Sequence, residues 1–132
     1  MQGREVFIVS AARTAVGSFL GMYKDVPAIG LGAVAIKGAV ERAKVDPAAV
    51  EEAYLGCVLS SGLGQAPARQ ASIHGGLAKG ATCVTVGKVC GSGLQAVIFG
   101  AQSVALGDAE VGASRPAPEA EPLGRGGGLR FA

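Results

Sequence analysis

Apolar positions along this chain follow two periods in turn. Residues 5–10, EVFIVS, form an apolar, β-branched run without polar alternation, the pattern of a strand buried on both faces. After GSFLGMYKDV, Pro27 stands where the first turn of a helix tolerates proline. Ile29, Ala33, Ile36, Val40 and Ala43 then recur at spacings of three and four, with Lys37, Glu41 and Lys44 on the opposite face. VDP at 45–47 breaks that helix, and EAYLGCVLSS at 52–61 is a second strand-like run, ended by Gly62 and Gly64. PARQASIHGGL at 67–77 opens on proline and closes on two glycines, as a short helix does. ATCVTVG at 81–87 reads as a third strand. Residues 92–106 read as a third helix, with Leu94, Val97, Ile98, Ala101 and Ala105 on its apolar stripe and Gly107 as its stop.

Strand and helix alternating three times predict an α/β unit with crossover connections, β-α-β-α-β-α, followed by an incomplete fourth strand near AEV at 109–111. The pattern then fails. Residues 111–132 hold five glycines and three of the six prolines, with neither period, so the chain divides into a folded part over 1–110 and a tail over 111–132 expected to be disordered.

Composition narrows the function classes. Only 5% of the 132 residues are aromatic and 22 are glycine, which favours close backbone packing over an aromatic-rich sandwich. Twelve basic residues are scattered among ten acidic ones for a net charge of +2, so no nucleic-acid groove or membrane-surface patch is indicated. The N-terminus lacks a secretory h-region and no run suggests a membrane span, which places the expected protein in the cytoplasm. Three cysteines, Cys57, Cys83 and Cys90, are an odd number at irregular spacing and fit neither a disulfide framework nor a zinc site. With a single histidine, the usual metal ligands are also missing, and no bound cofactor is expected.

The chemistry concentrates in KVCGSGLQA at 88–96. Cys90 falls where the third strand hands over to the third helix, at the carboxyl edge of the sheet, where ligands usually bind. Unpaired N–H groups and the positive end of the helix dipole favour a thiolate there, Lys88 adds to that field, and Gly91 and Gly93 leave room for close approach. Local physics leaves two readings open, a nucleophile or a small buried hydrophobe. Cys57 and Cys83 lie inside apolar strand runs and read as core.

KVCGSGLQAV, the strand CVTVG before it, VLSSGLGQAPARQASI, and the opening IVSAARTAVGSFLG together resemble the N-terminal half of the thiolases, the acetyl-CoA acetyltransferase and 3-ketoacyl-CoA thiolase family. LGAVAIKGAVERAKVDPAAVEEAYLG is similar to that family's first helix and second strand, and the resemblance runs from Val6 to Val111. It implies a partial thiolase-like N-terminal domain and an acyltransferase in which Cys90 accepts an acetyl group from a CoA thioester and passes it to CoA or a second acyl-CoA. It also implies acyl-CoA substrates and a homo-oligomer in the intact family. A thiol suits this task because thioester exchange with CoA is nearly balanced in energy and divides one hard step into two. Arg69 and Gln70, which could be mistaken for a CoA phosphate site, match a stretch buried near the family's subunit interface and read as scaffold. Arg13 and Thr14 read as loop anchors.

The chain also departs from the pattern. Gly87 stands where the family often has asparagine, and neither the Gly-His-Pro motif of the activating histidine nor the Cys-x-Gly motif of the second catalytic cysteine occurs. His74, in SIHGGL, reads as a solvated helix residue. After GDAEV the sequence turns to Arg, Pro, Gly and Ala, as GC-rich codons read out of frame would give. A second function class therefore stands beside the enzyme: a catalytically inactive truncated fragment, at most a self-association module.

Overall fold

Pro27, with φ of −66°, precedes α1 (Ala28–Ala43) in a computed structural model that describes residues 4–116. Lys44 ends the helix in the left-handed conformation, φ 54°, and its N–H donates to the carbonyls of Glu41 and Val40. A single 3-10 turn, Pro47–Ala49, follows. The Asp46 carboxylate caps it by accepting from the Ala48 N–H at 2.9 Å, which turns the chain into β1 (Glu52–Gly56). Then come α2 (Pro67–His74), β2 (Thr82–Val86), α3 (Ser92–Leu106) and β3 (Gly112–Pro116).

The three strands are parallel in the order β2-β1-β3, with Ala53 opposite both Cys83 and Ala113. Because β2 and β3 flank β1 on opposite sides, the two crossovers run in opposite directions. Right-handed connections then put α2 and α3 on opposite faces of the sheet. Side chains agree: Ala53 and Leu55 of β1 enter the core with Ile36 and Val40 of α1 and Ala68 and Ala71 of α2. Glu52, Tyr54 and Gly56 instead meet α3, through Ser103, Phe99 and Ser92. The first face holds the larger apolar groups, with Ile36 and Leu55 each 2% exposed and each contributing roughly 1.5–3 kcal/mol by burial.

On α3 the span agrees with the periodicity but the buried face does not. The helix buries Ser92, Ala96, Val97, Gly100, Ser103 and Val104, while Leu94 and Ile98 of the expected stripe are exposed. Close approach explains the difference. A Cβ built on Gly56 would lie 2.5 Å from the Ser92 carbonyl carbon, so α3 rests on β1 with little space between backbones and only small residues fit.

The run at 5–10 is a second correction, since it forms no strand in this sheet. Its ends are tied to helices: the Arg4 N–H donates to the Ala105 carbonyl at 3.1 Å, and the Ala11 carbonyl accepts from Arg42 of α1 at 2.9 Å. Between them Phe7, Ile8 and Val9 are exposed. A β-branched run becomes a strand only where a neighbouring backbone can pair with it.

The chain also stays ordered beyond Val111. The Val111 carbonyl accepts from the Glu51 N–H at 3.1 Å, and Gly112–Pro116 then pairs along β1, five residues into the stretch expected to be tail. Parallel pairing uses backbone groups, and Ala113 is small enough to be buried at 3% exposure. The remainder of that stretch, 117–132, lies outside the described residues. One window, Val89–Leu106, is long and apolar enough for a membrane span, with mean hydropathy 1.4, contrary to the expectation that no run suggests one. Its regular helix has 15 residues, about 22 Å at 1.5 Å per residue and short of the roughly 30 Å hydrocarbon core.

Candidate active site

Loops leaving β1 and β2 lead to opposite faces of the sheet from its carboxyl edge, the edge where open α/β sheets bind ligands. The Cys57 N–H donates to the Val86 carbonyl at 2.9 Å, keeping the loop roots together. Past Val86 the chain makes one tight turn before α3, and Cys90 sits in that turn, exposed.

Backbone bonds define the turn. The Gly91 N–H donates to the Lys88 carbonyl at 2.9 Å, the Ser92 N–H to the Val89 carbonyl at 3.0 Å, and the Gln95 N–H to the Gly91 carbonyl at 2.9 Å. Val89, immediately before the cysteine, is held at φ 45°. For a β-branched residue that conformation costs about 1–3 kcal/mol. The Val89 side chain is 70% exposed, so its own packing does not compensate. The Ser92 hydroxyl does bear on the turn: it accepts from the Lys88 N–H at 2.8 Å and donates to the Val89 carbonyl at 2.6 Å. Lys88 extends along the start of α3, its Nζ donating to Gln95 Oε1 at 2.6 Å. Among the described residues, the N–H groups of Cys90 and Leu94 make no hydrogen bond, and both stand at the positive end of the α3 dipole. An exposed thiol beside unspent donors is the arrangement that nucleophilic acyl transfer requires.

The other expected residues separate from this site. Cys57 is buried, its Sγ 3.5 Å from the Leu59 carbonyl, and Cys83 is half-buried at the amino end of β2 beside the Ala81 carbonyl. His74 is exposed in the last turn of α2. Because α2 runs back against the parallel strands, His74 lies at the amino edge of the sheet, opposite Cys90. Arg69 donates to the Ala81 and Lys79 carbonyls at 2.7 and 2.6 Å, and Gln70 to those of Leu63 and Gln65 at 2.9 and 2.7 Å. Both side chains fasten loops. Arg13 is exposed, and the buried Thr14 hydroxyl has no hydrogen-bond partner among the described residues.

Sequence reasoning passed over Gly56, read only as part of the second strand-like run, and Ser92, read as a helix start. The signal for Ser92 was its place between two glycines, where a polar side chain has only backbone to bind. The titration of Tyr54 shifts clearly. Burial, and then the adjacent Glu52 carboxylate, raise its phenol above the ordinary tyrosine value.

The family described as the thiolase N-terminal domain matches residues 6–114. Acetyl-CoA acetyltransferase of Schizosaccharomyces pombe is 50% identical over 111 residues, covering 84% of this chain and 28% of that protein. The enzyme of the same name from Cupriavidus necator is 54% identical over 107 residues, 81% and 27% of the two chains. Human mitochondrial acetyl-CoA acetyltransferase is 48% identical over 108 residues, 82% and 25%. Among solved structures, the Acat5 thiolase of Ascaris suum, determined in complex with coenzyme A, superposes with a TM-score of 0.84 at 37% identity, covering 96% of this chain and 36% of that one. The chain thus spans about a quarter of the length of these curated relatives. A parallel α/β sheet with a cysteine turn at its carboxyl edge, matched over residues 6–114, makes this chain a member of the thiolase family.

Proposed function

We propose that this chain is the nucleophile-bearing part of a thiolase-type acyltransferase, with Cys90 as the acyl acceptor. The thiolate attacks the carbonyl carbon of acetyl-CoA or a 3-ketoacyl-CoA. A carbon–sulfur bond to Cys90 forms, the bond to the CoA sulfur breaks for acetyl-CoA, and CoA leaves and takes up a proton. From a 3-ketoacyl-CoA the α-carbon leaves instead, as the carbanion of an acyl-CoA that must be protonated. CoA or the α-carbon of a second acyl-CoA, each giving up a proton, then removes the acyl group and restores the thiolate. The observation that carries this reading is the exposure of Cys90, alone of the three thiols, at the start of α3. Unspent N–H groups there suit the oxyanion of the tetrahedral intermediate.

Turnover requires more than a nucleophile. A base must form the thiolate, and another group must move a proton at the α-carbon or the departing CoA. Among the described residues none of the three candidates fits: His74 and Cys83 lie at the far edge of the sheet and Cys57 is buried. We therefore expect the 132 residues by themselves to be acetylated at Cys90 without sustaining steady-state thiolysis. Peptide mass spectrometry after incubation with acetyl-CoA tests the first half, and an acetoacetyl-CoA thiolysis assay tests the second. Acetyl elsewhere than Cys90, or none, would sink the acceptor assignment. Turnover that depends on Cys90 would sink the claim of incompleteness. The alternative of a silent, self-associating fragment draws on the exposed Phe7, Leu94 and Leu106 and predicts oligomers without acetylation.

A further inference from the structure

We infer that Ser92 and Gly56 are positioning residues for Cys90, an inference that rests on the acceptor reading above. Ser92 is 3% exposed, and its hydroxyl makes no bond to the first turn of α3. It reaches backward instead, accepting from the Lys88 N–H at 2.8 Å and donating to the Val89 carbonyl at 2.6 Å. The Gly87–Lys88 and Val89–Cys90 peptides, on either side of Val89's own N–H, are thereby fixed by one buried side chain. This is the restraint that an exposed valine at φ 45° needs, because nothing in the packing of that valine holds it there.

Gly56 acts on a later peptide, Ser92–Gly93, from the β1 side. A Cβ on it would stand 2.5 Å from the Ser92 carbonyl carbon, 2.6 Å from the Gly93 nitrogen and 2.7 Å from the Ser92 oxygen. Those neighbours are backbone atoms of α3 and cannot rotate away, so any side chain at 56 lifts the first turn of α3 off β1 and carries Ser92 with it. Two residues distant in sequence thus hold the turn on either side of Cys90, Ser92 through peptides before it and Gly56 through the peptide after Ser92, and together set where the Cys90 sulfur and the N–H groups beside it point. Neither touches the reacting atoms.

The test separates orientation from folding by comparing two reactions of one thiol. Acetyl transfer from acetyl-CoA needs the N–H groups aimed at an oxyanion; alkylation by iodoacetamide needs an accessible thiolate but forms no oxyanion. For Ser92→Ala in the full 132-residue chain, single-event acetylation of Cys90 should slow roughly tenfold or more, as small misplacements do. Alkylation of Cys90 should change little, and Cys57 should stay protected. Adding Val89→Gly to Ser92→Ala should recover part of the rate, since glycine adopts the left-handed conformation without the clamp. Gly56→Ala should reproduce the Ser92→Ala loss. Acetylation of Ser92→Ala at the wild-type rate would overturn the inference. So would a loss accompanied by rapid alkylation of Cys57, which would mark Ser92 as general scaffold, or a double variant with no recovery. A wild-type chain that is never acetylated at Cys90 would overturn the acceptor reading itself and this inference with it.

Discussion

The two long helices, α1 and α3, read alike in sequence and behave differently in the fold. On α1, the expected Ala33, Ile36 and Val40 are buried, and Lys37, Glu41 and Lys44 face solvent. On α3, small residues are buried and Leu94 is 65% exposed. The difference lies in what each helix meets. Side chains separate α1 from the sheet, so size and hydrophobicity decide its face. Backbone meets backbone where α3 crosses Gly56, so smallness decides, and its larger apolar residues turn outward.

The sharpest way to break this comparison is truncation on each helix. Ile36→Ala should cost about 2–5 kcal/mol by leaving a cavity between α1, α2 and β1, read as a lower urea midpoint. A loss near zero would show that the α1 face is not the core. Arg69→Ala comes next, since it strips donors from the Lys79 and Ala81 carbonyls, at about 1–3 kcal/mol. Circular dichroism melts would detect it, and an unchanged midpoint would return Arg69 to the pool of candidate ligand residues.

Titration probes the α3 face. The raised phenol of Tyr54 means that the folded chain keeps its proton at a pH where the unfolded chain has released it. The folded state then binds more protons, and stability falls as pH rises above about 10. Tyr54→Phe should flatten that decline in melts taken across alkaline pH, and an unaltered slope would assign it to another group. Smallest of all, Leu94→Ala should move stability by no more than about 0.5 kcal/mol despite the size of the side chain removed. A loss as large as that of Ile36→Ala would mean that α3 is covered in solution.

How much was legible follows from the same contrast. Repeating side-chain patterns located α1, α2, β1, β2 and α3, and the residues 92–106 expected for α3 are those observed. Periodicity carries no information about who pairs with whom, so EVFIVS reads as a strand though among the described residues the sheet gives it no neighbour. For the same reason Gly112–Pro116, whose pairing depends on backbone, was read as tail. Cys90 was visible because its chemistry is written in its side chain and its place before a helix. Gly56 and Ser92 were not, because each matters through a contact with distant or preceding backbone that no local pattern encodes.

The fold singles out one thiol of three, and relative alkylation rates test that claim most directly. With iodoacetamide near neutral pH and peptide mass spectrometry as readout, folded protein should react fastest at Cys90, more slowly at half-buried Cys83 and slowest at buried Cys57. Equal rates at all three in a sample with an intact cooperative melt would contradict the account.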